Sequence, residues 1–117
     1  MRDELKRRTR QFALDVIRFS RSFPRRAEFE IIKGQLIRAA TSVGSNYRAA
    51  CRSRSRREFI SKIGIVSEEG DEAQYWLELV EELSTGDKSK IKLLEREAAE
   101  IVAIMVASIN TPITNHQ

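Results

Sequence analysis

Five arginines fall within ten residues, Arg48, Arg52, Arg54, Arg56 and Arg57, and five further cations, Arg2, Lys6, Arg7, Arg8 and Arg10, stand near the start of the chain. A guanidinium stays charged at any cellular pH and presents a planar fork of donors that meets phosphate in bidentate fashion. Brought together, these side chains would form a basic patch able to grip a nucleic-acid backbone, with affinity that falls steeply as salt rises. Arg48, Arg52, Arg54, Arg56 and Arg57, with Arg7 and Arg8, are the residues expected to make those contacts. No aromatic residue is interleaved among the five clustered arginines, so stacking on single-stranded bases has no support and strong sequence preference is not expected. The competing use of the same arginines is ion pairing with carboxylates, in this chain or in a neighbouring copy of it.

The carboxylates for such pairing are concentrated further on, at Glu68, Glu69, Asp71 and Glu72. Glu68 and Glu72 share one helical face at i, i+4, a spacing that can hold a metal. Di-iron bundles, however, combine such glutamates with Glu-x-x-His motifs from two helices, and the one histidine here is His116. No metal and no cofactor are therefore expected. Glu68, Glu69, Asp71 and Glu72 are expected instead to be partners for Arg38 and Arg48 across helices, or to form a solvated face. Cys51 is the only cysteine. It stands among arginines, but no base is near it in sequence to make it a catalytic nucleophile. Gly-rich phosphate loops, GxSxG elbows and HExxH motifs are all missing, and no enzymatic activity is expected.

Net charge is +4, yet the distribution is lopsided: residues 1–62 hold 17 Lys and Arg against 6 Asp and Glu, and residues 63–117 hold 4 against 11. The halves, +11 and −7, attract each other, so part of the polarity is expected to be consumed within the fold or between protomers. Hydrophobic residues at 41%, charged residues at 32%, five Gly and two Pro in 117 residues fit long helices with solvated outer faces in one domain. A single cysteine and no apolar run of membrane-spanning length point to a cytoplasmic protein without a membrane partner.

Four segments must position these groups. Leu5, Phe12, Val16, Phe19 and Phe23 recur at steps of three and four, with Thr9 as the polar member, up to Pro24. A second stripe, Phe29, Ile32, Leu36, Ala39 and Val43, runs from about Glu28 to Ala50, with Asn46 on the same line as a buried amide that fixes alignment or as a residue that water reaches. Ser55 with Glu58 three residues on reads as a capping box. It opens a third helix along Phe59, Ile63, Val66, Gly70, Ala73, Leu77 and Val80, the longest element. Gly70 is expected to let this helix pack closely on Ala39 or Ala98. Residues 84–87 read as a stop in which Gly86 can take the left-handed conformation. Ile91, Leu94, Ala98, Ile101, Met105 and Ser108 form the fourth stripe.

Short connections between long helices predict an all-α, up-and-down antiparallel four-helix bundle over residues 1–110, followed by a flexible tail, 111–117. A second apolar stripe, Ile37, Ala40, Gly44 and Tyr47 with Trp76, Leu79 and Leu83, fits either the wide faces that a bundle needs or a subunit interface; Ile37, Tyr47, Trp76 and Leu79 are its candidate interface residues. Arg38, Asn46, Glu69 and Glu72 are the candidate structural polar groups.

The run QLIRAATSVGSNYRAACRSRSRREFISKIGIVSEEGDEAQYWLELV, residues 35–80, resembles the four-helix-bundle family that includes proteins encoded in ribosomal RNA intervening sequences. Gln35-Leu36, Arg38-Ala39-Ala40, Ser42, Asn46, Arg54, Ser55, Glu58-Phe59, Glu69 and Trp76 to Leu79 carry the likeness. Members commonly have Glu-Gly where this chain has Ala49-Ala50. The resemblance implies a bundle that assembles as a ring, typically a homopentamer, with no established enzymatic activity. Similar proteins serve diversity-generating retroelements as accessory factors whose basic surface binds nucleic acid and a reverse transcriptase. RNA or DNA, and a nucleic-acid-processing protein, are thus implied partners beside the chain's own copies.

Overall fold

The computed structural model describes residues 2–110, which form four helices: α1 (Arg2–Ser20), α2 (Ala27–Cys51), α3 (Arg56–Leu83) and α4 (Ser89–Asn110). The expected tail, 111–117, with His116, lies outside the described residues. Contacts between helix ends fix the direction of each helix. Arg2 stacks over the Phe59 ring, so α1 and α3 begin at the same end. Arg56 reaches the carbonyl of Ile109, so α4 finishes where α3 starts, and Lys92 meets Glu81 at the other end. The result is an up-and-down antiparallel four-helix bundle 49 Å long and 21 by 19 Å across. α1 leans mainly on α2 and more lightly on α4.

The three-four stripes converge as the core. Leu5, Phe12 and Val16 meet Leu36, Ala39 and Val43, then Ile63, Val66, Ala73 and Leu77, then Leu94, Ala98, Ile101 and Met105, all buried. Thr9 is buried among them without cost to its hydroxyl, which donates to the Leu5 carbonyl at 2.8 Å.

Local chemistry sets the ends. Asp3 and Glu4 lie in the first turn of α1 and Arg18 in its last, each matching the helix dipole. The Ser55 hydroxyl caps α3 by accepting from the Glu58 amide at 3.1 Å. Asp87 accepts from both the amide and the hydroxyl of Ser89 at the start of α4.

Three details differ from the sequence expectation. α1 stops at Ser20 rather than running on to Pro24: a tight turn brings the Ser22 amide to the Phe19 carbonyl and the Phe23 amide to the Ser20 carbonyl. Phe23 nonetheless stays apolar-packed, edge-on to Phe19 and Phe29 at 5.4 and 5.7 Å. Gly86 is not left-handed, because α3 ends by turning Ser84 into extended backbone at φ −83°, ψ 147°. Gly70 makes its close approach to α4 at Val102, where an added Cβ would lie 2.7 Å from Cγ2, and not to Ala39 or Ala98.

Candidate nucleic-acid interface

Two antiparallel helices bring the N-terminal cations and part of the arginine cluster together. Lys6 and Arg10 stand one turn apart on α1, and Arg48, in the last turn of α2, stands one turn before Arg52, the residue that caps it. Because α1 starts where α2 ends, the two pairs face each other across a groove of about 750 Å³ that Arg7 joins. Its remaining lining is small or hydroxylic: Ala13, Thr41, Gly44, Ser45 and Ala49. At Gly44 the helices approach so closely that an added Cβ would stand 3.5 Å from the Thr9 carbonyl oxygen. No carboxylate lines the groove, and none of its five cations makes an ion pair among the described residues.

The other expected contact residues go elsewhere. Arg8 faces α4, where its guanidinium takes Glu97 in bidentate fashion at 2.7 and 2.8 Å and Glu100 at 2.7 Å. Those bonds hold its pKa above the usual arginine value, against the opposing pull of burial. Arg56 is structural: it donates to the Ile109 carbonyl at 2.9 Å and lies over the Phe59 ring, tying the start of α3 to the end of α4. Arg54, in the α2–α3 connection, and Arg57, in the first turn of α3, are exposed and outside the groove lining.

Besides the Arg8 and Lys92 pairs, the ion pairs among the described residues lie on the α2–α3 seam. Arg38 donates to Glu69 at 3.2 Å and also to Glu72, which in turn accepts from the Trp76 indole at 3.1 Å. The indole bond first, and Arg38 second, hold the Glu72 carboxyl below its ordinary pKa. Glu69 also accepts from Ser42, and Asn46 donates to the Ser42 carbonyl and hydroxyl at 2.9 Å. Asn46 is thus half-buried and bonded within its own helix, not across the bundle. Arg48 takes no part in this seam.

The family model for the 23S rRNA-intervening sequence protein matches residues 3–107. The chain belongs to that family. No curated protein is similar enough to this intervening-sequence protein to match it. A solved structure from Bacteroides thetaiotaomicron, described as a protein of unknown function from the S23 ribosomal protein family, is 26% identical, with a TM-score of 0.83 over 92% of this chain and 99% of that one. The comparisons thus give the intervening-sequence protein a fold and a family, and no enzymatic family among them.

Of the candidate interface residues, Tyr47 is corrected by the structure: it is 3% exposed and packs in the chain's own core, because the end of α2 lies against the start of α1. Burial, and after it a hydrogen bond with the Cys51 thiol, pushes the Tyr47 phenol well above its usual pKa. Ile37, Trp76 and Leu79 are partly buried and pack against the core from outside. Among the described residues no group of three or more His, Cys, Asp and Glu is placed to hold a metal, and no helix is long and apolar enough to cross a membrane. What sequence reasoning missed is the groove's floor. Thr41 and Ser45 are unremarkable in the sequence, and only the i, i+4 repetition of Lys6/Arg10 and Arg48/Arg52 signals that two helices present their cations to one side.

Proposed function

We propose that this protein is a non-catalytic binding protein whose α1–α2 groove holds the sugar-phosphate backbone of RNA or DNA without strong sequence preference. The observation that carries this reading is the set Lys6, Arg7, Arg10, Arg48 and Arg52, which share one groove with no carboxylate lining it. Like charges at i, i+4 and across a narrow groove repel one another, and a polyanion relieves that repulsion where no internal group does. Labelled RNA and duplex DNA should bind at about 50 mM salt, where phosphate contacts are strong, and five contacts to a single strand would give log K against log salt a slope of about −3 to −4. No retention of either polymer at that salt would leave a protein-interaction module in place of a nucleic-acid binder.

Assembly belongs to the same reading. Ile31 and Tyr75 are 65% and 53% exposed on α2 and α3, near the partly buried Trp76 and Leu79, and this supports a homo-oligomer joined through the α2–α3 side. A ring of five is the assembly that the family resemblance implies. Light scattering coupled to size exclusion tests it, and a monomer at every concentration removes it. In the rival scheme the arginines hold the ring together: Arg54→Glu with Arg57→Glu would then dissociate the oligomer and leave nucleic-acid binding unchanged.

A further inference from the structure

Resting on that reading of the groove, we infer that it discriminates ribose from deoxyribose, through Thr41 and Ser45, and that RNA is its preferred ligand. The groove's polar groups are sorted by end. Lys6, Arg7, Arg48 and Arg52, all donors, stand toward the start of α1, whereas the hydroxyls of Thr41 and Ser45 stand one turn apart on α2 on either side of Gly44, where the Arg10 backbone packs. Both hydroxyls turn their protons toward the helix backbone, Thr41 in a short bond and Ser45 in a long one. Thr41 donates to the carbonyls of Ile37 at 2.8 Å and Arg38 at 3.1 Å, and Ser45 donates to the Ser42 carbonyl at 3.3 Å.

A hydroxyl whose proton is engaged offers only lone pairs to the groove. Such a group repels a phosphate oxygen, itself an acceptor, but accepts from a donor. In the sugar-phosphate backbone the donor is the ribose 2′-hydroxyl, the group that separates RNA from DNA. The spacing suits one strand: at a helical rise of about 1.5 Å per residue, Ser45 lies roughly 4.5 Å along the axis from Arg48 and Thr41 roughly 10 Å, so that phosphates on the arginines bring neighbouring sugars to the hydroxyls. Gly44 raises no side chain against the sugar, and Ala13 only a methyl.

The test uses the full chain and three single-stranded oligonucleotides of one sequence, as RNA, as DNA and as 2′-O-methyl RNA, with binding followed by fluorescence anisotropy at one salt concentration. The 2′-O-methyl strand keeps the ribonucleotide sugar shape but cannot donate. RNA is expected to bind about three- to ten-fold tighter than the other two, the size of one or two neutral hydrogen bonds. Thr41→Val with Ser45→Ala, both exposed positions, should bring RNA down to the DNA level and leave DNA binding unchanged. Equal wild-type affinities for RNA and DNA, a 2′-O-methyl strand that binds as RNA does, or a preference that survives the double substitution would each overturn the inference while the backbone-binding reading stands. Failure to bind any of the three strands would overturn both.

Discussion

Like charges crowd in two regions of the bundle, and only one of them contains its own remedy. Between α3 and α4, burial first and a hydrogen bond with Glu81 second push the Glu95 carboxyl up to about 7, while Lys92 sits on Glu81 at 2.5 Å. A carboxyl pair can take up a proton and recruit a lysine. In the α1–α2 groove, Arg7, Arg10, Arg48 and Arg52 keep their charge at any cellular pH, and no carboxylate lines the space between them. The acidic crowding is settled inside the chain; the basic crowding finds no counter-charge in the groove lining. Position relative to a counter-charge, and not residue type, thus separates arginines that pair within the fold from arginines that do not.

The contrast breaks most visibly at Arg48 and Arg52. Arg48→Glu with Arg52→Glu should weaken RNA binding at about 50 mM salt on the order of 100-fold, since two phosphate contacts are lost and two repulsions added. The melting temperature should hold or rise slightly, because no internal partner is lost and cation repulsion is relieved. A large drop in melting temperature would mean that these arginines are structural after all. Arg8→Ala should do the reverse. It strands Glu97 and Glu100 at the α1–α4 seam, where α1 packs more lightly than on α2, costing about 1 kcal/mol, or roughly 3–6 °C in Tm for a chain of this size, with RNA affinity little changed. Thermal melts and anisotropy on both variants decide between the two roles.

The stripes made the bundle legible, because a helix that must bury one face repeats its apolar residues at three and four, and every such position from Leu36 to Met105 needed only a partner helix to be explained. The α3 cap was legible for the same local reason, since Ser55 and Glu58 interact across three residues. Arg7 and Arg8 were not separable in the sequence. They are adjacent, and about 100° of helical rotation sends one toward the α2 groove and the other toward Glu97 and Glu100, which lie some ninety residues away. Tyr47 misled for a related reason: it sits at the edge of an apolar stripe, and whether an edge residue faces a neighbouring helix or a neighbouring subunit depends on how tightly α1 closes on α2.

The acidic region gives a smaller effect with a definite sign. With its folded pKa raised to about 7, above the ordinary 4.5, Glu95 holds a proton in the native state that the unfolded chain has released between those values. Stability should therefore fall as pH rises from about 4.5 to 7 and level off above, by an amount on the order of 1 kcal/mol once screening at this partly exposed site is allowed for. Glu95→Gln should flatten that slope and stabilise the protein at pH 8. Glu72, Glu81 and Asp87, whose pKa values are lowered, act in a separate window, losing their contribution as pH falls below about 4.5. An unchanged slope in Glu95→Gln would mean that the Glu81–Glu95 crowding is relieved by solvent, and the comparison with the groove would lose its second term.

The smallest effect is the most discriminating one. Arg54 and Arg57 belong to the same string of arginines as Arg48 and Arg52, but the turn after α2 carries them out of the groove lining. If charge density at that end of the molecule were all that mattered, reversing any two arginines of the string would weaken binding alike. If the groove is the site, Arg54→Glu with Arg57→Glu acts only through the long-range field, which decays over a Debye length of about 8 Å at 0.15 M ionic strength. A change of threefold or less at that salt is then expected, growing as salt is lowered, with the oligomer intact. A loss as large as that of Arg48→Glu with Arg52→Glu would move the interface from the groove to the whole α2–α3 end of the bundle, and with it the hydroxyls of Thr41 and Ser45 would lose their place beside the ligand.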